Sequence, residues 1–178
     1  ALGEGAESTG ESASMTNLDL SAAQQKLLKA LIATGKPVVL VLFNGRPLTL
    51  SWEDANVPAI LDVWFAGSEA GDAIADALLG KVNPSGKLPM TFPRSLGQVP
   101  IYYNHKNTGR PYLGAKDPEQ KYKSRYIDSD NSPLYPFGYG LSYTTFEYSN
   151  LTIENPIAKK GDKINVSFVV TNTGKRAG

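Results

Sequence analysis

The sequence predicts an α/β fold that is followed by the first strands of a β-sandwich. Residues 38–43 are apolar on both faces, as in a strand buried in a parallel sheet between helices. A second apolar run, residues 59–65, predicts a second buried strand, and a predicted helix follows it. Residues 164–170 alternate apolar and mostly polar side chains, which is the period of a half-buried antiparallel strand.

Composition and charge limit the classes of function. The chain has 178 residues, 20% charged residues and a net charge of +1, so we expect a globular protein that binds neither nucleic acid nor a membrane surface. Its longest apolar run is far shorter than the roughly 20 residues of a membrane-spanning helix. The chain has no cysteine and one histidine, His105, so we expect no metal site built on these residues and no Ser-His-Asp triad.

The N-terminal segment predicts a long loop and then a helix. Residues 1–20 are rich in Gly, Ser and Glu without a sustained period, and Leu2 fits the stub of a strand. Ser21 is the predicted N-cap, Gln24 completes a capping-box pattern, and Gly35 fits the C′ position. The helix carries an apolar stripe, which consists of Leu27, Leu28, Leu31 and Ile32.

The next segments complete the α/β pattern. Asn44 and Gly45 predict a turn after the first buried strand, and residues 69–79 predict a helix that stops at Gly80. Strand, helix and strand in this order predict right-handed crossovers and an open sheet.

A glycine-rich segment, residues 80–88, bears a superficial likeness to a phosphate-binding loop. Its glycines are spaced too widely, and Leu88 stands where Ser or Thr would hold the metal. The chain also lacks a Gly-x-Gly-x-x-Gly turn. An unrelated α/β nucleotide-binding protein is therefore disfavoured.

The C-terminal half predicts an extended segment and then part of a second domain. Residues 108–136 form a stretch longer than an ordinary loop in a tyrosine-rich region, so we expect it to pack on neighbouring domains or to line a cleft. Residues 146–154 are a further candidate strand. Two strands cannot close a sandwich, which needs about seven strands and about 100 residues. We therefore expect the opening of an immunoglobulin-like domain whose remainder is absent from the chain.

Three carboxylates in the first loop are candidates for a general acid/base: Glu4, Glu7 and Glu11. The alternative is an acidic loop exposed to solvent, or glutamates that favour the positive end of the following helix. Dipole stabilisation fades beyond the first turn, and Glu11 lies well before Ser21. Composition by itself favours the solvent-exposed loop.

Five segments carry a resemblance to a known family, among them Asn83-Pro-Ser-Gly-Lys-Leu-Pro-Met-Thr-Phe-Pro-Arg94 and Tyr135-Pro-Phe-Gly-Tyr-Gly-Leu-Ser-Tyr-Thr-Thr-Phe146. The others are residues 34–48, 59–75 and 107–112. In this order they resemble the C-terminal part of glycoside hydrolase family 3 enzymes, of the periplasmic or secreted β-glucosidase branch. The combination of the two quoted segments is highly specific.

The resemblance implies a domain organisation. Residues 1–126 would be the C-terminal part of an α/β sandwich domain, and residues 127–146 a connecting segment. Residues 147–178 would be the truncated start of a fibronectin type III domain. The family's (β/α)8 barrel needs about 250 residues and would be absent from this chain.

The resemblance also implies a function. Family members are retaining, exo-acting β-glycosidases that use a barrel aspartate as nucleophile and a glutamate of the sandwich domain as general acid/base. Alignment of residues 9–19 with the family assigns the acid/base to Glu11, with Glu7 as the second choice and Glu4 as the third. The fragment would belong to a β-glucosidase and be inactive when isolated.

The expected partners follow from that chemistry. They are a β-glucoside or a short β-linked oligosaccharide and the missing N-terminal barrel part of the enzyme. A homodimer is left open, and the implied location is periplasmic or secreted. No metal or organic cofactor is expected. The alternative function is a non-catalytic, carbohydrate-associated or structural module, and the sequence does not choose the sugar or the linkage.

Overall fold

The computed structural model describes residues 1–114 and 121–178, so the predicted long segment at 108–136 lies in part outside the described residues. The chain divides into two compact units. These are residues 1–70 with 87–139, and residues 71–86 with 140–178.

The first unit contains a three-stranded sheet in which every strand runs parallel to its neighbour. The strands are β1 (Leu2–Gly3), β2 (Val39–Phe43) and β3 (Ala59–Asp62), with β2 in the middle. The register pairs Leu2 with Leu42 and Leu42 with Asp62. Leu40, Val41 and Leu42 are buried. The parallel sheet, the central strand and the strand stub at Leu2 are thereby confirmed.

Strand β3 is shorter than the sequence predicts. The apolar run extends to Phe65, but the strand ends at Asp62. The Asp62 Oδ1 atom accepts a hydrogen bond from the Trp64 backbone N–H at 3.2 Å, and Trp64 has a φ of 50°. A left-handed backbone turns the chain out of the sheet, so Trp64 and Phe65 do not extend the strand.

Helix α1 spans Ala22–Ala33, as its end signals predict. Ser21 caps it by accepting a hydrogen bond from the Gln24 backbone N–H at 3.3 Å, and Gly35 adopts a φ of 72° after its end. The capping box is only half formed. The Gln24 side chain instead pairs with the backbone of Gly3, accepting from its N–H at 3.1 Å and donating to its carbonyl at 2.8 Å. Gln24 therefore provides hydrogen-bond partners for the backbone N–H and carbonyl of Gly3 at the outer edge of β1.

The predicted apolar stripe of α1 is only partly buried. Leu28 is 2% exposed, whereas Leu27 and Leu31 are 50% and 45% exposed. Leu28 of α1 thus belongs to the core, and Ile32 packs against it.

A second helix, α2 (Ser51–Asn56), was not predicted. It is short and its sequence carries no apolar period. Glu53 on this helix is 1% exposed, and Asp54 accepts a hydrogen bond from the Tyr135 hydroxyl at 2.6 Å. Helix α2 is therefore held by tertiary contacts rather than by local preference.

The hydrophobic core of the first unit joins residues from distant parts of the chain. It is formed by Leu20, Leu28, Leu40, Leu42, Leu48, Leu50, Val57 and Phe92. The Phe92 ring is within 5.8 Å of the Trp64 ring centroid and 6.1 Å of the Tyr135 ring centroid. Phe92 thereby connects the sheet to the later segment of the unit.

That later segment is held by antiparallel backbone contacts. The Phe92 N–H donates to the Tyr135 carbonyl at 2.8 Å, and the Leu88 N–H donates to the Tyr139 carbonyl at 2.8 Å. The Tyr135 and Tyr139 rings stack with centroids 5.0 Å apart. The two sequence segments that carry the most specific family motifs therefore lie side by side.

The second unit contains nearly all of helix α3 (Ala70–Leu78) and two antiparallel strands, β4 (Phe146–Ile153) and β5 (Val166–Asn172). The predicted helix and both strands are confirmed, with β5 beginning two residues later than its apolar alternation. The alternating apolar side chains of β5 lie on one face and are exposed, with Val166 and Phe168 each 55% exposed. No helix in the described part of the chain is long and apolar enough to span a membrane.

Asn83 organises the second unit from a loop. Its side chain accepts a hydrogen bond from the Tyr143 backbone N–H at 2.8 Å and donates one to the Ser142 hydroxyl at 2.9 Å. The Tyr143 hydroxyl donates to the Ala77 carbonyl at 3.0 Å. These bonds tie the chain before β4 to α3 and the loop that follows it.

Replacement of Phe92 by Ala should destabilise the first unit strongly. The ring is 1% exposed, and removing a buried Phe side chain typically costs about 3–5 kcal/mol. Urea denaturation of the purified protein measures the change in the free energy of unfolding. Met90→Ala is the control, because Met90 is 50% exposed and should lose far less. Equal losses for the two variants would contradict the position of Phe92 in the core.

Candidate active site

The candidate site lies at the carboxyl ends of the three parallel strands, where open α/β sheets bind their ligands. The residues that leave this edge are Glu4 after β1, Asn44 and Arg46 after β2, and Asp62 at the end of β3. The Glu4 backbone N–H continues the pairing by donating to the Phe43 carbonyl at 2.8 Å. The parallel direction of the strands thus brings these polar side chains to one edge.

Glu4 and Arg46 form a largely buried ion pair. Arg46 Nε lies 2.8 Å from Glu4 Oε1, in the geometry of an ion pair rather than of an aligned hydrogen bond. The Arg46 side chain is 18% exposed and the Glu4 side chain is 12% exposed. The second Glu4 oxygen accepts hydrogen bonds from the Gly45 N–H at 3.1 Å and from the Thr9 hydroxyl at 3.5 Å. Both oxygens of Glu4 are therefore engaged.

Arg46 also binds the loop that contains the other two candidate glutamates. Its Nη2 atom donates to the carbonyl oxygens of Ser8 and of Ala13, the latter at 3.0 Å. A third contact reaches the Thr9 hydroxyl at 3.3 Å. These acceptors lie before and after Glu11 in the sequence.

Glu11 lies at the tip of a tight turn. The Ala13 N–H donates to the Gly10 carbonyl at 3.2 Å, which closes a four-residue turn around Glu11 and Ser12. Gly10 has a φ of 131° and Ser12 a φ of 60°, so the chain reverses sharply on both sides of Glu11. Glu11 is exposed, and the structure gives its carboxylate no hydrogen bond or ion pair within the described residues.

Glu7 differs from Glu11 in its backbone. It lies in a 3₁₀ turn, Ala6–Ser8, that precedes the Glu11 turn. Its side chain lies against Gly5, where an added Cβ would collide with the Glu7 carboxylate. The residue as a whole is exposed. The structure thus separates an ion-paired Glu4 from two exposed glutamates without a hydrogen bond or ion pair among the described residues, which are Glu7 beside Gly5 and Glu11 at the tip of a turn.

The loop approaches the end of β2 very closely at Gly45. A Cβ atom at this position would collide with the Thr9 side chain and lie against the Phe65 ring. Only glycine leaves this space, so Gly45 is required for the loop to pack on the sheet edge.

Asp62 and Asn44 are partly unsatisfied polar groups at the same edge. Asn44 is fully buried, and its Nδ2 donates to the Arg46 carbonyl at 2.9 Å while its Oδ1 lacks a partner among the described residues. Asp62 Oδ2 likewise has none there. Burial raises the pKa of Asp62 to about 6, against the lowering effect of the hydrogen bond from the Trp64 N–H.

Two other buried titratable groups lie near α2. Burial raises the pKa of Glu53, and the charge of Asp19 raises it further. Burial and the hydrogen bond to Asp54 raise the pKa of the Tyr135 hydroxyl. The Tyr135 hydroxyl holds α2 through Asp54, whereas the Glu53 Oε1 atom has no hydrogen-bond partner among the described residues.

A cavity of about 620 Å³ opens beside Arg46. Its lining is mostly apolar and includes Leu18, Pro47, Met90, Tyr102, Tyr103 and Phe137. Such a lining suits an apolar group better than the hydroxyl groups of a sugar. Tyr103 and Phe137 lie outside the predicted extended segment at 108–136, so the expectation that this segment lines a cleft stays a prediction.

His105 is exposed, and its Nδ1 lies 3.0 Å from the Tyr102 carbonyl. Among the described residues, no group of three or more His, Cys, Asp or Glu side chains could hold a metal ion. Sequence reasoning did not single out Arg46 or Asp62. Arg46 lies in the turn predicted after the first strand, and Asp62 is the one charged residue within the second predicted strand; these positions are the signal that marks them.

Comparison with known proteins gives a consistent family assignment. A sequence model of the "Glycosyl hydrolase family 3 C-terminal domain" matches residues 1–143. The chain is 56% identical over 177 residues to the periplasmic beta-glucosidase of Salmonella typhimurium, covering 99% of this chain and 23% of that protein. It is 43% identical to a beta-xylosidase of Formosa agariphila, with the same coverage of 99% and 23%.

A solved structure agrees with the fold. The crystal structure of beta-glucosidase from Listeria innocua matches with a TM-score of 0.92 and 44% identity, over 99% of this chain and 24% of that chain. The Listeria protein has also been crystallised with glucose. The chain thus spans about a quarter of the length of the relatives it matches.

The raised pKa of Asp62 predicts a pH-dependent effect of the Asp62→Asn variant. Between its ordinary pKa of 3.8 and about 6, the folded state holds a proton that the unfolded state releases. Protonated Asp62 is tolerated in its buried site, so the stability that this proton provides is present at low pH. It is lost as the pH rises through about 6 and the buried carboxyl becomes charged. Asp62→Asn should raise the melting temperature more at about pH 8 than at about pH 4.5.

Thermal denaturation of the purified protein at the two pH values measures this difference. Asp128→Asn is the control, since Asp128 is exposed. The same shift of the melting temperature at both pH values for Asp62→Asn would refute the prediction.

Proposed function

Because the chain belongs to glycoside hydrolase family 3, we propose that it is part of a retaining, exo-acting β-glucosidase. The complete enzyme would hydrolyse terminal β-linked sugars by double displacement. The observation that carries this proposal is the 56% identity to a periplasmic beta-glucosidase along nearly the whole chain. The 43% identity to a beta-xylosidase favours a β-xyloside as the second candidate substrate.

We propose that the rest of the enzyme supplies the barrel. Residues 1–126 form the C-terminal part of the α/β sandwich domain, residues 127–146 connect, and residues 147–178 begin a fibronectin type III domain. The antiparallel pairing of β4 with β5 supports the last assignment, because the alternating residues Val166, Phe168 and Val170 form an exposed apolar face of β5 that a second sheet would bury. A barrel of about 250 residues does not fit in this chain.

Glu11 is the proposed general acid/base. Three features support it: the turn presents Glu11 at its tip, its carboxylate is unpaired among the described residues, and Glu4 is engaged with Arg46. A position at the tip of a turn lets a carboxylate project toward a second domain. Glu7 remains the alternative.

The chemistry explains why the acid/base and the nucleophile can come from different domains. A retaining glycosidase places two carboxyl groups about 5–5.5 Å apart. One attacks the anomeric carbon, and the other protonates the departing oxygen and later removes a proton from water. A barrel aspartate would be the nucleophile, and the substrate would bind between it and the Glu11 turn. The scheme needs no metal or organic cofactor.

The proposed substrate and location follow from the same family assignment, and a non-catalytic module is the alternative to it. The proposed substrate is a β-glucoside or a short β-linked oligosaccharide. The proposed location is periplasmic or secreted, and the name of the Salmonella relative, a periplasmic beta-glucosidase, supports it. A carbohydrate-associated module without catalysis is the competing proposal. The observation that favours the enzyme is the 56% identity to a periplasmic beta-glucosidase along nearly the whole chain.

Replacement of Glu11 by Ala in the full-length protein should give a leaving-group-dependent defect. Loss of general acid catalysis typically costs about 10²–10⁴-fold for poor leaving groups. Aryl β-glucosides with acidic phenols should still form the glycosyl-enzyme, because such phenols depart without a proton. Added azide should restore turnover with retained configuration, since azide needs no general base. Steady-state kinetics and identification of the β-glucosyl azide measure both effects.

Glu7→Ala is the matched control and should resemble the wild type. If Glu7→Ala shows leaving-group dependence with azide rescue and Glu11→Ala does not, the acid/base is Glu7. If neither variant shows the pattern, the proton comes from another part of the enzyme. If the wild-type full-length protein cleaves no β-glucoside or β-xyloside, the non-catalytic alternative stands.

The isolated residues 1–178 should have no glycosidase activity. They contain no barrel, and the proposed nucleophile lies there. Incubation of the purified fragment with an acidic aryl β-glucoside tests this, with full-length enzyme as the positive control. Turnover by a fragment shown by mass spectrometry to be free of longer chains would overturn the two-domain mechanism.

A further inference from the structure

We propose that Arg46 is a positioning residue for catalysis, which fixes the place of the Glu11 carboxylate by holding both sides of its turn. This inference rests on the proposed role of Glu11 and adds a second residue to the reaction. Arg46 would touch neither the sugar nor the reacting atoms.

The contacts of Arg46 bracket the turn. Its guanidinium donates to the Ser8 carbonyl on one side and to the Ala13 carbonyl, at 3.0 Å, on the other. The turn itself is closed by a single backbone hydrogen bond, from the Ala13 N–H to the Gly10 carbonyl at 3.2 Å. An added Cβ on Gly10 would meet no atom within 4 Å, so the tip lies in open space. The base of the turn, and not its tip, is therefore attached to the fold.

The guanidinium is itself fixed from the opposite side. Glu4 contacts its Nε at 2.8 Å, and Glu4 is in turn held by the Gly45 N–H at 3.1 Å. The Arg46 side chain is only 18% exposed. A buried guanidinium held by a carboxylate on one edge and by carbonyl oxygens on another has little freedom to move.

Lysine cannot reproduce this arrangement. Arginine presents several N–H groups in a rigid plane, whereas the lysine ammonium is a compact charge on a flexible stem. The ammonium introduced by Arg46→Lys would keep the charge next to Glu4 but would not bridge Glu4 and two loop carbonyls in a fixed geometry. This substitution therefore separates the charge of the residue from its positioning role.

A displaced acid/base has a specific kinetic consequence. A misplacement of about 1 Å can cost about 10²-fold in rate. This loss falls on the step in which Glu11 acts as an acid, so it should grow as the leaving group becomes more basic. A residue that only stabilises the fold would lower the rate for every leaving group alike.

The test uses the full-length enzyme with Arg46→Lys, Glu11→Ala and the double variant. For phenyl β-glucoside, Arg46→Lys should lower kcat/KM by up to about 10²-fold. For dinitrophenyl β-glucoside the loss should be small. In the Glu11→Ala background, Arg46→Lys should cause no further loss for phenyl β-glucoside, because its effect passes through Glu11.

Arg94→Lys is the matched control. The Arg94 side chain also anchors a loop of the same unit, donating from Nε to the Ser132 carbonyl at 3.0 Å, and its bonds within the described residues do not reach the Glu11 turn. Arg94→Lys should lower the melting temperature. Any change that it causes in kcat/KM should be the same for phenyl and dinitrophenyl β-glucoside. If Arg46→Lys does not fold, Glu4→Gln is the second variant, since it preserves shape while weakening the hold on Arg46. Glu4→Gln should show the same dependence on the leaving group to a smaller extent.

The outcomes separate this inference from the proposal beneath it. If Glu11→Ala shows leaving-group dependence but the effect of Arg46→Lys is uniform, or persists in the Glu11→Ala background, then Glu11 is the acid/base and the role of Arg46 is refuted. If Glu11→Ala itself lacks the dependence, the assignment of Glu11 fails first and the role of Arg46 fails with it.

Discussion

The parallel direction of three strands is the constraint on which the rest of the first unit depends. Because β1, β2 and β3 run the same way, their carboxyl ends reach one edge, and Glu4, Arg46 and Asp62 lie at that edge although they are distant in sequence. Strand β1 contributes only Leu2 and Gly3, so its place depends on Gln24 and the pairing with β2. A polar edge on an apolar sheet follows from this arrangement.

The elements that the sequence predicted well are those with local signals. The apolar run of β2, the cap of α1 at Ser21 and the period of β4 and β5 each lie within a short window, where neighbouring residues determine the backbone. Helix α2 has no such signal, because it is short and depends on the burial of Glu53 and on the hydrogen bond between Asp54 and Tyr135. The early end of β3 depends on the Asp62 side chain and the left-handed Trp64, which apolarity alone does not reveal.

The candidate site likewise combines features that the sequence predicted with features that depend on tertiary contacts. The family resemblance singled out Glu11 among three glutamates, but no local pattern distinguishes their surroundings. That distinction needs Arg46, which is far away in the sequence and reaches Glu4 and the loop carbonyls only after the sheet has formed. The pKa of Asp62 likewise depends on burial, which the sequence does not show.

The attachment of the Glu11 turn has a consequence for divergence within the family. Arg46 binds the loop mainly through the main-chain oxygens of Ser8 and Ala13, which every amino acid carries. Side chains between these points can therefore change in evolution without losing the attachment, provided that residue 46 keeps its guanidinium and residue 45 stays glycine. The same property would make the segment suitable for grafting, so that tips from relatives with other preferences are transplanted onto an unchanged base.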